Sequence, residues 1–250
     1  MLTCGTLPGR LAGVRCWSRT VVGARAALGG FRLRRPTVVG VYDQYDVIAD
    51  DYAQHFPDDF ASRPFDRALV HVFAGLVQQS GGGNVLDVGC GPGQATAELG
   101  AAGLRTHAID GSPAMVSIAR RRYPHARYQV ADMASLPYQD AAFGGLCAWY
   151  SIIHTPADRL AGLFAEFSRV LADPGWLLLG FQTDAPPLVF DEAFGHKVDM
   201  TFLRHNVTAV HEALLAAGFT VYATSKRERL QHLSETAAQA FVIAHRGPLH

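Results

Sequence analysis

One stretch restricts the fold more than any other: Asn84-Val85-Leu86-Asp87-Val88-Gly89-Cys90-Gly91-Pro92-Gly93-Gln94-Ala95-Thr96. A short apolar run ends in Asp87 and breaks into a glycine-rich turn. Gln94–Gly100 beyond it can be helical. Such a run reads as a buried strand of a parallel sheet, and the turn after its carboxyl end is where open α/β sheets bind ligands. Glycine permits positive φ there and lets a ligand approach the main chain without an intervening side chain. The spacing is Gly-x-Gly-x-Gly, not the Gly-x-Gly-x-x-Gly of dinucleotide enzymes, whose third glycine serves close helix–strand packing. Turns of this composition also occur as plain connections, so the meaning of this one depends on the rest of the chain.

The remainder alternates as an α/β protein does. Tyr42–Ala61 reads as a short helical segment, and Pro64 opens a helix over Phe65–Gln79 whose apolar residues at 65, 69, 72, 73, 76 and 77 form one buried face. Ser80-Gly81-Gly82-Gly83 stops it. After the glycine turn and its helix, to about Gly103, come a strand at Thr106–Ile109, a helix at Pro113–Tyr123, strands at Arg127–Val130 and Phe143–Trp149, a helix at Asp158–Leu171 and a strand at Gly175–Gln182. Asp184–Asn206, with Pro186-Pro187 and scattered aromatics, breaks the alternation and is expected to be an irregular insertion over the site. A helix at Val207–Ala217 and strands at Thr220–Ser225 and Ala238–His245 close the chain. The order predicts a doubly wound, mostly parallel sheet with a C-terminal antiparallel edge hairpin. Three regions result: a basic arm at 1–40, a helical preface at 41–80, and a sheet domain at 81–246 with its insertion at about 184–206.

Charge separates the arm from the body. The net charge is zero, yet residues 1–40 hold seven Arg and no Asp, Glu or Lys. The remainder keeps 15 basic residues against 22 acids, about −7. An acidic body argues against a nucleic-acid surface, which needs clustered positive charge. The arm's composition fits an organelle transit peptide or a basic tail. It equally fits translated upstream sequence, with the working protein starting near Val38–Val41 and the arm disordered or no part of it. With 20 Arg, two Lys and much Ala and Gly, the chain reads as the product of a GC-rich, bacterial genome. No apolar run is long enough to span a bilayer. The cysteines Cys4, Cys16, Cys90 and Cys147 have no metal-ligand spacing, and a disulfide framework is not expected. A reducing, cytoplasmic setting follows.

Three polar residues sit where strands end. Asp110 lies 21 residues beyond Gly89 at the end of the next strand, a position from which an acid accepts both hydroxyls of a ribose. Asp110-Gly111-Ser112-Pro113 is also a turn and helix cap, which accounts for Ser112 but not for an acid one strand along from the glycine loop. Asp132 ends the third strand, able to accept from an adenine amine, or to cap a loop. His154 follows the fourth strand, as a proton acceptor, a substrate-orienting group, or a structural hydrogen-bonding histidine.

Val85–Gly93 with Asp110, Ala131-Asp132-Met133 and Leu163–Leu179 resembles a class I S-adenosylmethionine-dependent methyltransferase of the small-molecule type. The similarity covers about residues 42–246, and four separated motifs follow the family's order. Tyr45-Asp46, Ala49, Tyr52 and Phe56 resemble its helical preface, where a tyrosine reaches the methionine end of the cofactor. The resemblance implies S-adenosylmethionine as cofactor. Gly89, Cys90, Gly91 and Gly93 would surround its methionine portion, with Asp87 anchoring the amino group directly or through water. Tyr45, Tyr52 and Tyr150 are assigned to the same site. Asp110 would hold the ribose, Gly111 or Met115 would flank the adenine, and Asp132 with Met133 would bind its edge.

Methyl transfer from a sulfonium mainly needs alignment, and a base only when the acceptor must lose a proton. His154 is the candidate base; His196 and His205 in the insertion are weaker ones. Trp149, Tyr150, Phe181 and the insertion aromatics are expected to wall an apolar acceptor pocket. No His/Asp/Glu cluster suits a metal. The expected partner is a small-molecule methyl acceptor, with no nucleic acid and no membrane. The methylated atom and the oligomeric state stay open, as do a nicotinamide- or flavin-dependent oxidoreductase and a non-catalytic adenosylmethionine-binding protein.

Overall fold

The computed structural model describes residues 40–56 and 60–248. Of the basic arm at 1–40, residues 1–39 lie outside them. Two helices come first, α1 (Val41–His55) and α2 (Pro64–Gln79). The sheet then builds through β1 (Asn84–Val88), α3 (Gln94–Ala101), β2 (Arg105–Asp110), α4 (Pro113–Arg122), β3 (Arg127–Val130) and β4 (Phe143–Trp149). Two short 3-10 turns lead to α5 (Leu160–Val170) and β5 (Leu171–Thr183). Strands β6 (Leu188–Ala193) and β7 (His196–Phe202) follow, then α6 (Val207–Ala216), β8 (Phe219–Arg227) and β9 (Ala238–Arg246).

Seven strands form one sheet in the order β3-β2-β1-β4-β5-β9-β8. The first five run parallel, and β9 lies antiparallel between β5 and β8. The chain reverses its direction of travel across the sheet between β1 and β4. Helices there leave to opposite faces, and a crevice opens at the strands' carboxyl ends. One face is packed by α5 and α6 through Phe164, Phe167 and Leu214, the other by α2 and α3 through Phe73, Val77 and Leu99. Gly145 lets α2 lie directly on β4, since a Cβ there would stand 2.7 Å from Val77. Each fully buried Phe contributes roughly 1.5–3 kcal/mol relative to leaving it in water. The preface is held differently: α1 docks on α4 through Ala49, Ala53, Met115 and Ile118.

The insertion is not irregular. Strands β6 and β7 pair antiparallel as a separate two-stranded hairpin, with Ala193 opposite His196. Phe194 and Gly195 turn it with φ of 52° and 84°, the double positive φ of a tight primed hairpin turn. Along β6, Leu188, Phe190 and Glu192 are half-buried while Val189 and Asp191 are exposed. That alternation marks a strand, and the aromatic residue in the turn disguised it.

Candidate functional site

The carboxyl ends of β1, β2, β3 and β4 open into a cavity of about 770 Å³, roofed by α1 and the β6–β7 hairpin. Small-ligand pockets span roughly 300–1,000 Å³, and this one lies in the upper part of that range.

The glycine turn is tied down by its neighbours. The N–H groups of Gly89 and Cys90 both donate to the Ile109 carbonyl, at 2.8 and 2.9 Å. The Gly91 N–H donates to Asp110 Oδ2 and the Ser112 N–H to Asp110 Oδ1, each at 2.8 Å. One carboxylate thus draws the loop after β1 and the entry to α4 together. Burial pushes the Asp110 carboxyl up, and the backbone donors from Ser112 and Gly91 oppose that shift. Gly89 has φ of 71° and lies against Ser151, so no side chain fits there. Gly91 faces open space, with nothing within 4 Å of where a Cβ would stand.

Of the residues expected in the site, Gly89, Cys90, Gly91, Asp110, Gly111 and Met115 line this cavity. So do Asp132 and Met133 after β3, Tyr150 and His154 after β4, and Tyr45 and Tyr52 on α1. Gly93 and Asp87 do not line it. Gly93 caps α3 with φ of 96°, and a Cβ there would stand 2.8 Å from the Tyr123 ring and 3.1 Å from Ala119. Its role is to let α3 and α4 meet. Asp87 is wholly buried beneath the turn; Thr96 Oγ1 donates to its Oδ2 at 2.5 Å, and its Oδ1 has no partner. Burial, with Asp110 nearby, pushes its carboxyl up to about 7. Phe181 is a correction, being fully buried in the sheet core. The insertion aromatics Phe190, Phe194 and Phe202 do wall the cavity, as does Trp149, which stacks on Phe241 at 5.3 Å. Burial pushes the Cys90 thiol well up, which keeps it protonated. His205 holds the Ile152 carbonyl at 3.0 Å and His196 meets Asp51 at 3.2 Å; neither lines the cavity.

His154 is committed to two partners. Its Nδ1 lies 3.1 Å from the Thr201 carbonyl, which can only accept, so Nδ1 carries the proton. Its Nε2 then accepts from the Tyr45 hydroxyl at 2.9 Å. Burial lowers the imidazole to about 4, with the Thr201 bond opposing, so the ring is neutral near pH 7. Tyr150 departs from β4 with φ of 55°, a conformation costing a non-glycine residue about 1–3 kcal/mol. Its N–H still donates to the Gly180 carbonyl at 2.8 Å, so the turn follows directly on the ladder.

Three features escaped sequence reasoning. Tyr42 lies across Gly111, and its hydroxyl donates to Asp132 Oδ1 at 3.1 Å. Asp46 Oδ1 accepts from Ser112 Oγ at 2.5 Å and from the Ala114 N–H at 2.9 Å, clamping α1 to the start of α4. A signal existed: Tyr42, Tyr45, Ala49 and Tyr52 fall at i, i+3, i+7 and i+10, one helical face. The third feature is an ion-pair cluster at the cavity's far end. Arg227 grips Asp66 through Nε at 2.7 Å and Nη2 at 2.9 Å, and Glu235 at 2.6 and 2.9 Å, while Arg63 meets Glu235 at 3.2 Å.

The donor and acceptor set suits a nucleoside carrying an amino-acid arm. Asp110 retains lone pairs that a diol could use, and Asp132 and Met133 line the cavity beyond it. Below the glycine turn wait two buried polar atoms without partners, Asp87 Oδ1 and Ser151 Oγ. Among the described residues no group of three or more His, Cys, Asp or Glu is arranged to hold a metal ion, and no helix is long and apolar enough to cross a membrane.

Fold and site together define an open α/β sheet with a nucleoside-type crevice at its switch point. Residues 85–175 match the family model described as "Methyltransferase domain". The chain is 36% identical over 99 residues to an O-methyltransferase, cnsE, of Penicillium expansum, covering 36% of this chain and 34% of that protein. It is 28% identical over 172 residues to demethylmenaquinone methyltransferase of Beutenbergia cavernae, covering 67% and 70%. Among solved structures it resembles the 1,6-didemethyltoxoflavin-N1-methyltransferase of Burkholderia thailandensis, with TM-score 0.63 and 19% identity over 89% of this chain and 94% of that one. The chain spans about a third of the length of the first of these relatives. Its sheet shares the fold of that solved methyltransferase, and the match to the methyltransferase domain lies within it.

Proposed function

We propose that the protein transfers a methyl group from S-adenosylmethionine to a small-molecule acceptor. One observation carries this reading. The wall made by the glycine turn, Asp110 and Asp132 and the aromatic chamber under the hairpin are parts of one cavity, with Tyr45 and His154 among its lining. When bound, the cofactor supplies an electrophilic methyl group on a positively charged sulfur. The chain supplies placement: Asp110 holds the ribose, Asp132 and Met133 the adenine edge, Gly91 gives open approach, and Asp87 answers the ammonium directly or through water. Helix α1 and the hairpin exclude bulk water and fix the acceptor's line of approach.

The named relatives include an O-methyltransferase and an N1-methyltransferase, so the family leaves the methylated atom open. Phe190, Phe194, Phe202 and Trp149 favour an apolar, ring-containing acceptor. The body's charge of about −7 disfavours nucleic acid. Calorimetry of the full chain tests the cofactor. Micromolar binding of adenosylmethionine and adenosylhomocysteine, about −8 kcal/mol, is expected. Binding of a nicotinamide dinucleotide in their place would overturn the reading.

A further inference from the structure

We infer that the acceptor atom is a hydroxyl oxygen of phenolic type, and that Tyr45 takes its proton while passing its own to His154. The inference rests on the cofactor reading above and assigns the chemistry of the same cavity's other half.

The geometry fixes the direction of the relay. The Thr201 carbonyl locks the imidazole proton on Nδ1, leaving the Nε2 lone pair as the end of the line. The only hydrogen bond formed by the Tyr45 hydroxyl among the described residues runs to that lone pair. Its oxygen therefore keeps a lone pair for a donor arriving from the cavity, and an acceptor O–H is such a donor. The ring is held edge-on by Tyr45 on one side, at 5.5 Å between centroids, and by Phe202 on another, at 5.3 Å. The hairpin and α1 thus position the histidine jointly.

Charge balance explains why a neutral, buried histidine can serve. As the acceptor oxygen bonds to the methyl carbon, the S–CH3 bond breaks and its electron pair stays on sulfur. The cavity loses the sulfonium charge at that moment. The acceptor proton moves to Tyr45 Oη, the Tyr45 proton moves to His154 Nε2, and the positive charge reappears there. The net charge of the enclosed site does not change, so the desolvation that keeps His154 neutral beforehand is offset as the methyl group leaves. An aromatic amine attacks through its free lone pair and a carboxylate is already ionised. Neither would use the relay.

The test uses the full chain, deuteriomethyl-labelled adenosylmethionine and mass-spectrometric detection of products from a panel of phenols, aromatic amines and aromatic carboxylates. Products from the phenols are expected. Tyr45→Phe and His154→Gln should lower kcat on them by about 100-fold or more, with KM and adenosylhomocysteine affinity each within about threefold. An acidic nitrophenol, already ionised in the assay, bypasses the relay, and the deficit on it should shrink below tenfold. Equal deficits on phenol and nitrophenolate, products chiefly from amines or carboxylates, or no phenol product from protein that binds adenosylhomocysteine would each overturn the inference. Failure to bind adenosylhomocysteine would instead remove the cofactor reading on which it stands.

Discussion

The Tyr42 hydroxyl donates to Asp132 Oδ1 at 3.1 Å, joining the first turn of α1 to the loop after β3 across 90 residues of sequence. The same ring covers Gly111, so this end of the cavity, proposed above to take the adenine, is assembled from two distant segments. Tyr42→Phe keeps the ring and removes the bond. Adenosylhomocysteine affinity should fall about fivefold, the weight of a modest hydrogen bond near 1 kcal/mol. Calorimetry showing unchanged affinity would mean that Asp132 needs no help in holding its orientation.

Asp110→Ala should weaken adenosylmethionine binding by about 1.5–3 kcal/mol, the scale for bonds to a charged group. The upper end is expected, since the substitution also strips the Gly91 and Ser112 N–H groups of their acceptor. Equal affinity in a protein with an unchanged melting curve would show the ribose acid to be misassigned.

Gly93→Ala should destabilise the fold by about 1–3 kcal/mol, combining a left-handed conformation with a contact on Tyr123. Urea denaturation reads this directly. Gly91→Ala, which meets no neighbour, should fold more nearly as the parent does and instead lose cofactor affinity. A reversed ranking of the two would contradict their separate roles.

Asp87 gives the apo protein a pH dependence. Its carboxyl is pushed up from 3.8 to about 7 in the folded chain by burial. Between those values the native state holds a proton that the unfolded state has released, so stability falls as pH rises from about 4 to 7 and is level above. Asp87→Asn removes that slope. Its stability gain over the parent should therefore grow by about 2 kcal/mol or more across this window. Thermal melts at pH 5 and pH 8 decide it; an equal gain at both would exclude Asp87 as the titrating group.

Arg227→Met leaves Asp66, 1% exposed, and Glu235 without their shared partner. Stranding buried carboxylates typically costs about 3–5 kcal/mol. The variant should melt markedly lower, and the double change Arg227→Met with Asp66→Leu should recover part of the loss. No recovery would mean that the cluster's value lies in Glu235 alone.

How much of this was legible depends on the range of the contact. Asp110 announced itself because an acid at the end of the second strand faces the glycine turn in any sheet of this topology. The succession of elements, the doubly wound sheet and the edge hairpin followed from short-range alternation. Tyr42, by contrast, matters through where α1 is laid down, and Asp66 through Arg227, 161 residues away. The periodicity of α1 puts Tyr42 on one face with Tyr45 and Tyr52, but no local pattern says what that face meets. Gly93 shows a subtler limit. The motif identifies the glycine but not which neighbour excludes its side chain, and here that neighbour is a tyrosine two elements on. The hairpin was hidden by chemistry: Phe194-Gly195 makes the turn that Asn-Gly usually announces.

The roof of the cavity belongs to no strand of the seven-stranded sheet. Helix α1 precedes that sheet, and the β6–β7 hairpin hangs between β5 and α6. Change in either can therefore accumulate without disturbing the register beneath. On the function proposed above, a lineage carrying this chain could exchange one acceptor for another by rewriting the hairpin and the side of α1 that faces it, while the glycine turn, Asp110, Asp132 and the Tyr42 that steadies Asp132 are inherited. New chemistry would then arise at the canopy, and the foundation would record only descent.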